Sequence, residues 1–171
     1  MKIGIIQENP VVGDVGGNLD IALKSIEKIK NEQPDIVIFS EMFLTGYPPE
    51  DLLLRNDLYQ SLDLTLKELA KHYPELHIVI GYPRKKNKKV FNAAGHIYQG
   101  EIKAEYFKQE LPNYKEFDEK RYFSPGKGPG LITVKDKVFA LTICEDIWYT
   151  KAIRQATRRG AELILNLNAS P

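Results

Sequence analysis

Short apolar runs alternate with amphipathic stretches in the first half of the chain, which is the pattern of an α/β protein. Continuous apolar runs at 3–6, 36–39 and 78–80 are typical of buried strands. Apolar residues recur every three or four positions between the first two runs, which predicts a helix with Asn18 as its N-cap. A second helix is predicted over 58–72. The strand–helix–strand order predicts parallel pairing at this end of the chain.

The second half of the sequence predicts hairpins, followed by a second parallel unit. The basic run 84–89 has no interleaved aromatic residue for stacking on a base, so we interpret it as a solvated hairpin tip. Together the elements predict a mixed sheet, largely buried, with one layer of helices on one face. The other face also needs a cover, and the pattern offers few candidates for it. The remaining predicted elements are strands 91–98, 102–107, 130–134, 138–143 and 163–167 and a helix 150–159 that ends at Gly160.

Composition limits the classes of function. The 171 residues are 43% hydrophobic and 27% charged, which is typical of one globular domain. With 24 basic and 23 acidic residues, the chain has no strong field to attract nucleic acid or an anionic membrane. No segment approaches the roughly 18 apolar residues of a membrane span. The single cysteine excludes an internal disulfide and favours a reducing cytoplasm.

Three reactive side chains follow predicted strands, at positions where α/β proteins place their sites. Glu41 follows the strand 36–39, Lys108 the strand 102–107 and Cys144 the strand 138–143. If these strand ends meet, the three groups suit nucleophilic acyl transfer. The thiol of Cys144 would attack, a carboxylate would take its proton, and Lys108 would stabilise the oxyanion. A sharp turn after the strand would add the backbone N–H of Glu145 as a second oxyanion donor.

Other interpretations of these residues stay open at this point. Cys144 could be a small buried thiol without chemistry, although its polar neighbours in the sequence argue against an apolar core. A Cys–His pair would need His72, His77 or His96, none of which lies in a local signature. A metal site is not expected, because the histidines and the cysteine lack the spacing of metal ligands.

Three segments resemble the motifs of the nitrilase superfamily of carbon–nitrogen hydrolases, in the family's order. Residues 40–47, Ser-Glu-Met-Phe-Leu-Thr-Gly-Tyr, resemble its glutamate motif. Residues 108–114, Lys-Gln-Glu-Leu-Pro-Asn-Tyr, are similar to its lysine motif, and residues 142–148, Thr-Ile-Cys-Glu-Asp-Ile-Trp, to its cysteine motif. The resemblance implies part of an αββα sandwich with Glu41 as general base, Lys108 as oxyanion stabiliser and Cys144 as nucleophile.

Further segments resemble the N-terminal glutaminase domains of glutamine-dependent NAD synthetases. These are 47–53, Tyr-Pro-Pro-Glu-Asp-Leu-Leu, and 111–123, which contains Leu-Pro-Asn-Tyr and Phe-Asp-Glu-Lys-Arg-Tyr-Phe. The resemblance implies that Tyr114, Glu145 and Ser170 contact glutamine and that Glu119 is an auxiliary buried glutamate that orients the lysine. Glu116 is a weaker candidate for that role, and we interpret it as an exposed charge.

The resemblance covers almost the whole chain, 1–171, but implies that this is a partial glutaminase domain. Later strands, a basic substrate-binding residue and the synthetase domain would be absent, which leaves the activity of this chain open. The implied partners are glutamine, an NAD synthetase domain or subunit and further copies of the chain. No cofactor is expected for the glutaminase step, and ATP and magnesium belong to the synthetase domain. Another amidase of the superfamily, or a non-catalytic partner module, remains the alternative.

Overall fold

The computed structural model describes residues 1–169 and has an α/β fold with two sheets. Short 3-10 helices at Lys30–Glu32, Glu50–Leu54 and Cys144–Trp148 join the main elements. The strands are β1 (Ile3–Ile5), β2 (Ile36–Ile38), β3 (His77–Lys86), β4 (Lys89–Tyr98), β5 (Glu101–Phe107), β6 (Gly130–Val134), β7 (Lys137–Ile143) and β8 (Leu163–Leu167), and the helices are α1 (Val15–Ile29), α2 (Asn56–His72), α3 (Glu119–Tyr122) and α4 (Thr150–Thr157).

The first sheet has five strands in the order β1-β2-β3-β4-β5. β1, β2 and β3 pair in parallel, whereas β4 is antiparallel to both of its neighbours. The hairpin tip between β3 and β4 lies at Asn87 and Lys88, and the next turn lies at Gln99 and Gly100. These four residues have positive φ angles, as such tight turns require. The predicted parallel unit and hairpins are therefore confirmed.

Helices α1 and α2 cover one face of this sheet. Their apolar stripes, with Leu19 and Ile26 on α1 and Leu62 and Leu69 on α2, are buried in one core with the inner side chains of the first sheet. The helical spacing seen in the sequence thus marks the buried faces correctly. The N-terminus of α1 was predicted wrongly, because Asp14 is the cap and accepts a hydrogen bond from Gly17 N.

The second sheet, β6-β7-β8, covers the other face of the first sheet. Ile36, Val79 and Tyr106 of the first sheet share a buried core with Phe139 and Leu165 of the second. The expectation that the chain offers few candidates to cover this face is therefore wrong. The error arose because hairpin and parallel strands were assigned to one sheet, and sequence spacing does not say where one sheet ends and the next begins.

β1 was predicted as a buried strand, and the structure corrects this. It is an edge strand, and Ile5 is 69% exposed. The second sheet packs over the centre of the first sheet, on Ile36, Ile38 and Val79, and leaves the outward face of β1 open. Within residues 1–169, no helix is both long and apolar enough to cross a membrane.

Candidate functional site

The strands that precede Glu41 and Lys108 run in the same direction. β2 and β3 are parallel, and two antiparallel steps through β4 give β5 the same direction. Glu41 lies just beyond β2, Lys108 follows β5 directly, and Cys144 follows β7 in the facing sheet. The carboxyl ends of β2 and β5 therefore lie at one edge of the first sheet. Hydrogen bonds from Gln109 N and Glu110 N to Asp146 bring the turn of Cys144 to the segment after Lys108.

Lys108 is the centre of a buried charge cluster. Its Nζ donates to Oε1 of Glu41 and to Oε1 of Glu119, at 2.8 Å in both cases. The side chains of Lys108 and Glu41 are fully buried, and that of Glu119 is nearly so. Burial opposes the charge of Lys108, but the two carboxylates outweigh it and raise the pKa of Lys108 above its ordinary value. The lysine therefore stays a cation inside the protein.

Glu119, at the start of α3, is the second carboxylate that contacts Lys108. Tyr47 donates its hydroxyl to Glu119 Oε1 at 3.1 Å. Burial raises the pKa of Glu119 to about 7. The negative charge of Glu41 adds to this rise, whereas the charge of Lys108 opposes it. Sequence reasoning did not assign Tyr47 a role beyond its loop, whereas the structure brings its hydroxyl into the cluster.

The carboxylate of Glu41 has a different set of donors on each oxygen. Oε1 accepts from Lys108 and from Asn92 Nδ2, the latter at 2.7 Å. Oε2 accepts from the backbone N–H of Ala169 at 3.1 Å. Sequence reasoning also missed Asn92, although a polar residue in the apolar run 90–94 of a predicted strand was a usable signal. It is 1% exposed.

Cys144 lies at a strained turn from β7 into a 3-10 helix. Its φ is +48°, a left-handed conformation that is unusual for a residue with a side chain. Burial raises the pKa of the Cys144 thiol to about 11, Glu41 adds to the rise, and Lys108 opposes it. A backbone hydrogen bond from Glu145 also lowers this pKa. The thiol therefore needs a base at neutral pH, and the carboxylate of Glu41 lies within its electrostatic range.

Asp146 ties the cysteine turn to the segment after Lys108. Its Oδ1 accepts from the backbone N–H groups of Gln109 and Glu110 at 3.0 and 2.9 Å. Its Oδ2 accepts from Ile143 N at 3.0 Å and from the Tyr106 hydroxyl at 2.8 Å. The side chain is fully buried. Sequence reasoning treated Asp146 only as a polar neighbour of the cysteine, but it holds the two reactive segments in one geometry.

A cavity of about 500 Å³ borders the residues predicted to contact substrate. Tyr114, which is 44% exposed, donates its hydroxyl to the buried carboxylate of Glu145, and both residues line this cavity. Glu116 is exposed, as predicted. Ser170 lies outside the described residues. A second cavity of about 250 Å³ is lined by Glu41 and Tyr47, among others.

The histidines lie away from the cysteine. His77 pairs with Ile36 at the start of β2, whereas the Glu41 loop follows the end of that strand. His77 and His96 share a hydrogen bond of 2.9 Å, and His72 contacts Glu68 O within α2. A Cys–His pair is therefore not supported. Among residues 1–169, no group of three or more His, Cys, Asp and Glu side chains is arranged to hold a metal ion.

Known proteins are similar in sequence to the whole of this chain. It is 38% identical to a glutamine-dependent NAD(+) synthetase of Xanthomonas campestris over 174 aligned positions, which cover 100% of this chain and 32% of that protein. A glutamine-dependent NAD(+) synthetase of Aquifex aeolicus is 39% identical, with 100% and 30% covered. The chain thus spans about a third of the length of these relatives, and it matches their N-terminal region.

Solved structures share the fold. The glutamine-dependent NAD+ synthetase of Acinetobacter baumannii superposes with a TM-score of 0.94 at 30% identity, covering 99% of this chain and 32% of that one. An amidase from a Nesterenkonia species superposes with a TM-score of 0.88 at 23% identity, covering 99% and 65%. The profile of the family described as "Carbon-nitrogen hydrolase" matches residues 2–171. The chain therefore belongs to the carbon–nitrogen hydrolase family, with the nitrilase-type fold predicted from its motifs.

Proposed function

We propose that this chain is the glutaminase part of a glutamine-dependent NAD synthetase and hydrolyses the side-chain amide of glutamine. The observation that supports this most strongly is the buried Lys108, held at 2.8 Å from two carboxylates beside the turn of the chain's one cysteine. A thiol nucleophile, a carboxylate base and a fixed cation for the oxyanion can together hydrolyse an amide through a thioester. The 36–39% identity to the leading relatives supports the same assignment.

The first half of the proposed reaction forms a thioester. Glu41 takes the proton from the Cys144 thiol while the sulfur attacks the amide carbon, and the carbonyl electron pair moves to oxygen. Lys108 Nζ and the backbone N–H of Glu145 stabilise this oxyanion. When the intermediate collapses, the proton on Glu41 passes to the amide nitrogen, the carbon–nitrogen bond breaks and ammonia leaves.

The second half regenerates the enzyme. Glu41, again a carboxylate, takes a proton from water as the water oxygen attacks the thioester carbon. The carbon–sulfur bond then breaks, the proton returns to the sulfur of Cys144, and glutamate leaves. A base is needed because the pKa of the thiol is raised to about 11 by burial, so sulfur carries its proton at neutral pH.

Glutamine as the substrate is supported by the mixed charges around the larger cavity. Glu110, Glu145 and Lys120 line it together with the Tyr114 hydroxyl. A zwitterionic amino acid needs both an acidic and a basic contact, whereas a simple aliphatic amide needs neither. We propose that Tyr114 and Glu145 bind glutamine, that Ser170 adds a further contact, and that Glu119 orients Lys108.

We further propose that the ammonia serves an NAD synthetase domain or subunit that lies outside this sequence. The relatives named as glutamine-dependent NAD(+) synthetases are about three times as long as the chain. ATP and magnesium would act in that synthetase part, while the glutaminase step uses side chains and water alone.

Ammonia release from L-glutamine by the 171-residue chain tests the proposal, with L-asparagine and propionamide as comparison substrates. We expect release from glutamine and none from Cys144→Ala. A Lys108→Ala variant should lose about 100-fold in rate or more, the effect of removing an oxyanion donor. Turnover of propionamide but not glutamine would instead indicate another amidase of the family. A folded chain that releases ammonia from none of the three substrates would contradict the proposal and favour a non-catalytic module.

A further inference from the structure

The side chain of Asn92 lies inside the charge cluster, on the fourth of the five strands of the first sheet. It stands on β4 and is 1% exposed, among apolar neighbours of the same strand. Its Nδ2 donates to Glu41 Oε1 at 2.7 Å. A carboxylate can only accept, so the amide must turn its NH₂ group towards Glu41. Its Oδ1 has no hydrogen-bond partner within residues 1–169, so the bond to Glu41 is what fixes the orientation of the amide.

Asn92 also holds the strand that carries the lysine. Its backbone carbonyl accepts from the backbone N–H of Lys108 at 2.9 Å. One residue therefore contacts the general base through its side chain and the oxyanion cation through its main chain. Because Lys108 Nζ and Asn92 Nδ2 both point at Oε1, that oxygen of Glu41 is already engaged by two donors.

We infer that Asn92 is a positioning residue that fixes which oxygen of Glu41 exchanges protons during the reaction. Oε1 accepts from two donors at 2.7 and 2.8 Å, whereas Oε2 accepts only the backbone N–H of Ala169, at 3.1 Å, among the described residues. Oε2 is therefore the oxygen that accepts the proton from the thiol and returns it to the leaving nitrogen. This inference rests on the proposed function for the identity of the substrate and for the roles of Glu41 and Cys144.

Groups on four elements face the Glu41 carboxyl. Lys108 follows β5, Glu119 begins α3, Cys144 follows β7, and Tyr47 lies in the loop after β2. The Asn92 variants leave all four of these side chains unsubstituted. A hydrogen bond to a charged group stabilises the charged form, so loss of the Asn92 amide favours the protonated carboxyl. In that form Glu41 cannot act as a base.

The test measures two pH profiles in wild type, Asn92→Ala and Asn92→Asp. The first is kcat/KM for glutamine. The second is the rate of alkylation of the thiol by iodoacetamide, which needs no substrate and reports one site because Cys144 is the one cysteine in the chain. Asn18→Ala is the matched control, because Asn18 is equally buried but bonds only to the backbone of Val11 and Leu44.

We expect the acidic limb of both profiles to move about one pH unit upwards in Asn92→Ala, the size of one charged hydrogen bond. At a given pH on the acidic limb, kcat should fall about tenfold while KM changes less than about twofold, since the amide acts on the base rather than on binding. Asn92→Asp should shift the limb further, because two adjacent carboxyls compete for one proton. Asn18→Ala should lower stability and leave both limbs in place.

The inference is overturned if the acidic limbs of both Asn92 variants coincide with that of wild type, or if Asn18→Ala shifts them equally. If the wild-type chain does not hydrolyse glutamine, the proposed substrate is wrong. The alkylation profile then still decides the role of Asn92, so the two failures are distinguishable.

Discussion

Replacement of Lys108 by methionine tests the buried charge cluster on which the site is built. Methionine is apolar and similar in length, and its presence would leave Glu41 and Glu119 facing each other without the cation that both contact at 2.8 Å. Removing one partner of a buried ion pair costs about 3–5 kcal/mol, because the remaining charge stays buried and unpaired. We expect Lys108→Met to lower the free energy of unfolding by about that amount at pH 8.

The loss should shrink as the pH falls. Burial raises the pKa of Glu119 from 4.5 to about 7 even with Lys108 present, and removal of the ammonium raises it further. A carboxyl with a higher pKa in the folded than in the unfolded state binds its proton more tightly when folded. Its penalty is therefore absent below the unfolded pKa and grows as the pH rises through the folded pKa. At pH 5 we expect a loss of about 1–2 kcal/mol, the value of the hydrogen bonds alone.

Urea unfolding followed by circular dichroism at pH 5 and pH 8 measures this difference. Lys103→Met is the control, because Lys103 lies on β5, the strand that Lys108 follows, and forms a solvent-exposed pair with Glu101. That pair should contribute less than about 1 kcal/mol. Adding Glu119→Gln to Lys108→Met should restore part of the loss at pH 8. An equal loss at both pH values, or no recovery in the double variant, would refute the charge-cluster explanation.

Further predictions concern the backbone around the site. A Cβ at Gly81 would lie 2.5 Å from the loop that holds Glu41, so Gly81→Ala should lower the unfolding free energy by about 1–3 kcal/mol and reduce ammonia release from glutamine. Asp146→Ala should cost about 3–5 kcal/mol in urea unfolding, since it leaves buried N–H groups unpaired, whereas Tyr106→Phe removes one bond and should cost about 1 kcal/mol. Cys144→Gly should be more stable than Cys144→Ala by about 0.5–1 kcal/mol, because glycine relieves the positive φ and loses part of that gain to chain entropy. Unchanged stability in the first two cases, or the reverse order in the third, would contradict these geometries.

Most elements of the fold could be predicted because each has a local signal. The helices α1 and α2 have apolar stripes, and the turn at Gln99 and Gly100 has the residues that a positive φ favours. The division into two sheets could not be predicted, since it depends on contacts between strands far apart in the sequence. The exposure of Ile5 could not be predicted for the same reason, because the sequence of an apolar edge strand resembles that of a central strand.

Some residues of the candidate site could be predicted from the sequence, and others could not. Glu41, Lys108 and Cys144 could be named from strand ends and motif resemblance, and hydrogen bonds in the structure bring their segments together. Asn92 and Asp146 could not be assigned roles, because each acts through a partner at least 35 positions away. The oligomeric state, the cytoplasmic location and the contact from Ser170 stay predictions.

Covalent labelling by 6-diazo-5-oxo-L-norleucine, a reactive analogue of glutamine, followed by mass spectrometry, tests most directly whether Cys144 is a nucleophile activated by Glu41. We expect one adduct, located on Cys144, whose formation is slowed by L-glutamine and slowed much more by Glu41→Gln. A folded wild-type chain that forms no adduct at Cys144, or an adduct that forms equally fast in Glu41→Gln, would contradict this expectation.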